Sequence, residues 1–521
     1  MQWKKEHIDF IRAGLKEGRT LSQLASALSK KTGEGISPKA LSRAWETNKY
    51  KKWPAFKTRE NFVSSSKRRM EKGILFVTAA LPYAAPGKGV LEAVSSFCKK
   101  NNAELIVLPM REHAKPGAKQ RYYYHPTIEP LISDSYIDVN KHLTIADLRL
   151  NPQQTNPLTG LWRICGRERT RSFLIAHTKQ ALQLVPAKLE GLPRMLHTTG
   201  CITAPRYNED ERVGRIAHED HVMGGVIVYV EGDTFYPVQV QFDEDGGFYD
   251  PCGTYYSASG YEENFRPAAT KWGDFHSGAT DQPATSAAID ILKYTQPEKL
   301  FLEDFVDGAS VNHHEMQDVV EQAKMTHKSS YLKYLSNEGV MARSALYDIK
   351  AHAPEDCNLI ITNSNHNDFV DRYIRSGRWV KDRDNAVQAA KLFIAMVENN
   401  ADACKALVDP TGELATWLEP NKDYFVAGVQ MAAHGHQGIN GSKGSPKAME
   451  YAFGNVMSGH THSPSITHGG MVVGTLSRLR LGYNNGPSNW LHAIGHVWPN
   501  GQKMLIFIIN GRTCYHTMGV M

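Results

Sequence analysis

The sequence predicts an α/β protein with a small helical module at its N-terminus and a mixed α/β middle region. Residues 5 to 50 hold three short segments of helical period, and from residue 74 apolar runs alternate with amphipathic helices. Between 270 and 465, polar clusters each follow a short apolar run, as at the strand ends of a layered domain. At 521 residues the chain exceeds one ordinary core. Its texture divides it into a module at 1–55, a linker at 56–72, a middle domain at 73–265 and a C-terminal domain at 266–521. No internal repeat is visible.

Composition narrows the class. No window reaches the roughly 18 uncharged apolar residues of a membrane span, and "MQWKKEHIDF" lacks a signal-peptide core, so no membrane partner is expected and the expected location is cytoplasmic. The seven cysteines are scattered and odd in number, without a Cys-x-x-Cys spacing, which excludes a disulfide framework and a zinc knuckle. Any metal must be held by His, Asp and Asn. The formal charge of +6 is uneven: residues 1 to 72 carry 18 Lys and Arg against seven Asp and Glu.

The first helical segment, "HIDFIRAGLKEG", ends at a glycine. The second, "TLSQLASALSKKTG", opens on Thr20 as N-cap, places Leu21, Leu24, Ala25 and Leu28 on one face and stops at Gly33. The third starts with Ser37 as N-cap and Pro38 at the first helical position. Two short helices around a tight turn, the second basic, predict a DNA-binding helix-turn-helix. Its second helix would offer Lys39, Ser42 and Arg43, and the basic linker Lys51, Lys52, Arg68 and Arg69, to a phosphate backbone. A small helical adaptor with solvated lysines is the alternative.

Beyond the linker, residues 74–78 read as a buried strand, 88–100 as an amphipathic helix, "AELIVLPM" as a second strand and 224–250 as a hairpin or meander. Residues 196–221 gather His197, His218, Asp220 and His221, a second candidate cluster.

The richest signal lies further on. "MSGHTHSP" sets His460 and His462 one residue apart after a glycine, a spacing that can aim two imidazoles at one small volume. Upstream, "KWGDFHSG" offers Asp274 and His276, and "KLFLEDFVDG" offers Asp304 and Asp307. "NLIITNSNHNDF" offers Asn365 and His366, and "AAHGHQG" offers His434 and His436. In this order the motifs resemble those of the calcineurin-like metallophosphoesterases, over about residues 270 to 521. Two positions depart from that pattern: Glu303 and Ser364 stand where the family usually has glycine, and neither position is a ligand in the family. Asn367 also stands where an acid is common.

The resemblance implies a four-layer α/β/β/α sandwich with two divalent metal ions, Mn²⁺ foremost and Fe, Zn²⁺ or Mg²⁺ as alternatives. It assigns one metal to Asp274, His276 and His462, the other to Asn365, His434 and His460, with Asp304 bridging and His366 as the catalytic non-ligand. His436 and Asp307 are additional candidates. The chemistry implied is phosphoester hydrolysis. The basic N-terminal module points to DNA as substrate and partner, by analogy with the family's repair exonucleases, some of which pair as homodimers. The layout is also similar to early DNA-transfer proteins of phages, for which the location would be the host cytoplasm. Residues 371–385, with four arginines, Tyr373 and Trp379, add a candidate surface for phosphates and bases. The competing readings are a phosphatase or nucleotidase on small or protein substrates, and a DNA-binding regulator with a non-catalytic metal site.

Overall fold

The computed structural model describes the chain except residues 1, 2, 4, 17–19, 51–64, 68–69, 111–121, 168–170, 189–190, 313–319, 321–332 and 482–483. Lys51, Lys52, Arg68 and Arg69 therefore lie outside the described residues.

Helices Lys5–Lys16, Leu21–Thr32 and Pro38–Tyr50 form the N-terminal module around Ile8, Ile11, Leu24, Ala25, Leu28 and Leu41. The expected caps are present. Thr20 and Gln23 make a reciprocal capping box, Gly33 ends the helix at φ +72°, and the Ser37 hydroxyl accepts from Ala40 N at 3.1 Å. Lys39 and Arg43, four residues apart, share the exposed side of the third helix, while Leu41 and Ala44 are buried and Ser42 is half-buried.

The rest is mixed α/β built on several sheets. One sheet has six strands in the order Thr416–Trp417, Asn358–Ile361, Lys299–Leu302, Ala269–Lys271, His492–Val497, Lys503–Ile508, the first four parallel and the last two an antiparallel hairpin. Alternate residues divide its faces. Leu300, Leu302, Leu359 and Ile361 pack with the helix Gln282–Thr295, whereas Phe301, Ile360, Ala493 and Leu505 face an eleven-stranded sheet across a second core. The helix presents Ala284, Ala287, Ala288, Ile291 and Leu292 at the spacing of one face and is capped by Asp281, which accepts from Ala284 N at 3.0 Å.

A four-stranded sheet, Thr234–Gln241, Gly224–Glu231, Lys72–Ala80 and Glu104–Pro109, abuts the hairpin edge of the six-stranded one. Gln239 joins them: its side chain donates to Lys503 O at 3.1 Å and accepts from Leu505 N at 3.4 Å. The eleven-stranded sheet likewise draws strands from both sides of residue 265, and both large cores mix residues from the two regions. Among the described residues no helix is long and apolar enough to cross a membrane.

One buried acid ties the helical layer to a loop at the strand ends. Glu338, on helix Leu335–His352, accepts from Ala309 N (2.9 Å), Ser310 N (3.2 Å) and the Ser310 hydroxyl (2.5 Å). Burial pushes its carboxyl up to about 7 from 4.5, against the lowering effect of those donors. The folded protein thus holds this proton at a pH where the unfolded chain has released it, and stability falls as pH rises from about 4.5 to about 7. Glu338→Gln removes that loss. Relative to the wild type, the variant is expected to gain roughly 2–3 kcal/mol between about pH 5 and about pH 8 in denaturant titrations, and an unchanged difference would sink the assignment.

Candidate metal site

The carboxyl ends of five strands converge. Asp274 follows Ala269–Lys271, Asp304 follows Lys299–Leu302, and Asn365 and His366 follow Asn358–Ile361. His434 follows Val429–Gln430, and His460 and His462 follow Val456–Ser458. Such ends are where strands of an α/β layer release their polar residues. The price is strain: His276, Asp304, His460 and His462 have φ of +48°, +39°, +69° and +55°, values side chains with a Cβ rarely adopt.

The donors sit close together. His462 Nε2 lies 2.9 Å from Asp274 Oδ2 and 3.1 Å from His276 Nε2, which in turn lies 3.8 Å from Asp304 Oδ2. His434 Nε2 is 3.3 Å from the same Asp304 Oδ2 and 3.1 Å from Asn365 Oδ1. Asp274, His276, Asp304 and His462 form one group whose donor atoms all lie within 4.8 Å, and Asp304, His434 and His460 form another. Asp304 belongs to both. Asp274, His276, Asp304, His434 and His462 are buried, and Asn365 and His460 are half-buried.

Gly459 explains why "SGHTHS" begins as it does. A Cβ there would lie 2.2 Å from Glu303 Oε2 and 2.5 Å from Asp274 Oδ1, so only glycine lets the backbone approach these carboxylates. His460 N then donates to Asp274 Oδ1 at 3.1 Å.

His366 stands beside this cluster. Its Nδ1 is 2.7 Å from Asp307 O and 3.5 Å from Asp307 Oδ1, and its ring meets that of His276 edge-on at 4.4 Å. Burial alone would lower its pKa, but the charges of Asp304 and Asp307 and the bonds to Asp307 outweigh burial and lift it to about 9. Asp307 also faces His276 Nδ1 at 2.9 Å, orienting that ring so that Nε2 points into the cluster. His436 is half-buried, and neither of its ring nitrogens has a hydrogen-bond partner among the described residues; its ring centroid lies 6.2 Å from that of His460.

Sequence reasoning missed two residues beneath the cluster. Lys271 is fully buried and donates to Met431 O (2.7 Å), Ala433 O (3.1 Å) and Met457 O (2.9 Å). Three donated bonds require the ammonium form, and its counter-charge is Glu303, at 2.6 Å. Burial lowers the Lys271 ammonium from its usual range and raises the Glu303 carboxyl, and the attraction between the two opposes both shifts. The second carboxylate oxygen of Glu303 lies 3.6 Å from His434 Nδ1, behind the imidazole. A lysine inside an apolar strand and an acid in place of a turn glycine were the signals available. Trp490, whose ring centroid lies 4.1 Å from that of His462, carried none.

The cluster suits a metal ion on its own chemistry. Asp274 Oδ2 is buried without a hydrogen-bond partner among the described residues, and the imidazole nitrogens of His276 and His462 face each other, which a cation between them would resolve. The donors are imidazole, carboxylate and amide, without thiolate. This buried His/Asp cluster can hold a metal ion.

Other candidates do not assemble. Tyr373 is fully buried with its hydroxyl on Asp382 at 2.7 Å, so it offers no free face to a base, and Trp379 is half-buried against the core and donates to Ile374 O at 3.2 Å. His197 lies in the core, His218 pairs with Glu209 at the surface, Asp220 pairs with Lys179 and His221 bonds Tyr207 at 2.8 Å.

No family model matches the chain. Among curated proteins it is similar to Protein A1 of Escherichia phage T5, 28% identical over 409 residues that span 72% of this chain and 70% of that protein. A solved structure of Chaetomium thermophilum Vps29 with a cyclic peptide aligns to 34% of this chain and 94% of its own, at 11% identity and a TM-score of 0.21, too weak a likeness to bear on the fold.

Proposed function

We propose that the chain is a two-metal phosphodiesterase of the calcineurin-like type that cleaves DNA, guided by its N-terminal helical module. The observation that carries this reading is Asp304 between two groups of donors, the position of a carboxylate bridging two ions. Asp274, His276 and His462 would hold one ion, and Asn365, His434 and His460 the other. Mn²⁺ suits the mixed nitrogen and oxygen donors best, with Fe, Zn²⁺ or Mg²⁺ as alternatives. Bound ions would supply Lewis-acid polarisation of a phosphoryl oxygen and an acidified water.

The chain's own residues do the rest. Asp307 holds His366 with a proton available, which His366 delivers to the leaving oxygen or uses to neutralise phosphoryl charge. Glu303 fixes the ring of His434, and Lys271 balances the charge of Glu303. Helices on one face of the six-stranded sheet, a second sheet across the core and helix Pro446–Phe453 against that sheet support the four-layer sandwich reading. The excess of basic residues before residue 73, with Lys39 and Arg43 exposed on one helix, supports DNA as the substrate. The relation to a phage protein supports action in the cytoplasm of an infected host.

One observation favours the second reading, a phosphatase or nucleotidase. The cavity beside His434 and His436 is about 250 Å³, a size that suits a small phosphate-bearing group. The test is Mn²⁺-dependent hydrolysis of linear and circular duplex DNA, set against mononucleotides, by the wild type and Asp304→Ala. DNA is expected to be degraded by the wild type and left intact by the variant, whose rate should fall by about 10³-fold or more. Faster hydrolysis of mononucleotides than of DNA would favour the second reading. DNA that is bound but survives all four metals would refute the nuclease.

A further inference from the structure

We infer that residues 72–241 are a second copy of the fold that carries the metal cluster, stripped of all but one of its matched ligand positions and joined to it as a built-in partner. The inference rests on strand pairing and does not depend on the proposed function.

The two halves repeat one wiring. Lys72–Ala80 pairs parallel with Glu104–Pro109 and antiparallel with Gly224–Glu231, which turns back into Thr234–Gln241. Ala269–Lys271 pairs parallel with Lys299–Leu302 and antiparallel with His492–Val497, which turns back into Lys503–Ile508. In both halves a helix, Val90–Asn101 or Gln282–Thr295, links the first parallel pair. The eleven-stranded sheet repeats the match: Tyr136–Asp138, Leu143–Ala146, Ser172–Ile175, Arg194–Thr198 and Leu182–Val185 pair with the same senses as Phe425–Val426, Val429–Gln430, Val456–Ser458, Gly470–Val472 and Ser465–Ile466.

Single hydrogen bonds just past the strands match the residues that follow them. Ile202 N to Ala79 O (2.9 Å) answers Leu476 N to Asp274 O (2.9 Å), and Thr199 N to Ile175 O (3.0 Å) answers Val473 N to Ser458 O (2.8 Å). Ser133 N to Val107 O (2.9 Å) answers Thr362 N to Leu302 O (3.1 Å), and Ala176 N to Ala146 O (3.0 Å) answers Gly459 N to His434 O (2.8 Å). In the strand register Leu182 corresponds to Ile466, and these two residues form the antiparallel bridge that joins the halves. Like residue meeting like residue is the mark of a two-fold axis, here within one chain.

The same match assigns these ligands their counterparts. Asp274 becomes Ala79, His276 Leu81, Asp304 Pro109, His434 Ala146 and His462 Lys179, with one extra residue between Lys271 and Asp274 and two between Gln430 and His434; only His460 keeps its type, as His177. "AHTKQ" thus stands where the other half has "GHTHS". The emptied place is closed by its own side chains. His177 Nε2 lies 3.1 Å from Asn151 O, its Nδ1 accepts from Lys179 N at 3.0 Å, and the buried Lys179 ammonium pairs with Asp220. A fixed cation stands where the other half gathers metal donors, so the chain binds metal in one half only.

A structure of the full chain determined with Mn²⁺ and its anomalous signal tests this. Residues 77, 106, 175, 201 and 226 are expected to superpose on 271, 301, 458, 475 and 495 by one two-fold rotation, with no Mn²⁺ peak beside His177. A register displaced by even one residue in the strands, which would swap their faces, or a peak beside His177, overturns the inference. Absence of Mn²⁺ from both halves would count against the proposed function and leave the superposition to decide the copy. Lys179→Met and Asp220→Asn should each lower Tm by a few degrees with Mn²⁺ content unchanged. Loss of Mn²⁺ content at constant Tm in either variant would show a metal role for this pair and refute the copy as an emptied one.

Discussion

Lys271→Met is expected to destabilise the folded chain by about 3–5 kcal/mol, the largest stability effect of any single substitution near the cluster. The ammonium is fully buried, neutralises Glu303 and satisfies three backbone carbonyls. Methionine fills a similar volume but leaves a buried carboxylate without its cation and three acceptors without a donor. Glu303 would then take up a proton, and the oxygen behind His434 would lose its charge. Two measurements separate this account from a loss of packing. Denaturant midpoints should show the double variant Lys271→Met/Glu303→Gln to be markedly more stable than Lys271→Met alone, because the second change removes the stranded charge. Equal instability of the two, or a single variant within about 1 kcal/mol of the wild type, would discard the ion pair as the cause.

His366→Asn is expected to lower kcat by about 10²- to 10⁴-fold while Mn²⁺ binding changes little. The ring is tied to Asp307 and touches His276, yet it belongs to neither of the two donor groups that share Asp304. A residue that moves a proton and holds no ion should leave metal content intact and KM nearly so. Loss of metal in step with loss of rate would instead make His366 a ligand. A kcat within tenfold of the wild type would remove it from the chemistry.

How much was legible in the sequence depends on range. The helical module was read from short-range signals: Thr20, Gly33, Ser37 and Pro38 cap their helices through neighbours within a few residues, and caps of that kind are local chemistry. Strands such as Lys299–Leu302 and Asn358–Ile361 were visible as apolar runs, and the polar residues after them follow from how a strand ends. The order of those clusters was enough to nominate Asp274, His276, Asp304, Asn365, His434, His460 and His462, which the fold brings together. Residues 371–385 read as a binding surface because their composition suits one, but composition does not say that Tyr373 points inward.

The sequence alone therefore settled the helix caps, the strand runs and the candidate ligands, since each is written within a window of a few residues. Only the tertiary structure decided that Lys271 and Glu303 lie beneath the ligands as a buried pair, that His276 and His462 face each other across 186 positions, and that residues 72–241 repeat the wiring of the second half. The reason is physical. Backbone hydrogen bonds set sheet register without regard to side chains, so two halves can keep one pairing pattern after their residues have diverged. A buried charge is identified by what surrounds it, and its surroundings come from strands far apart in the chain.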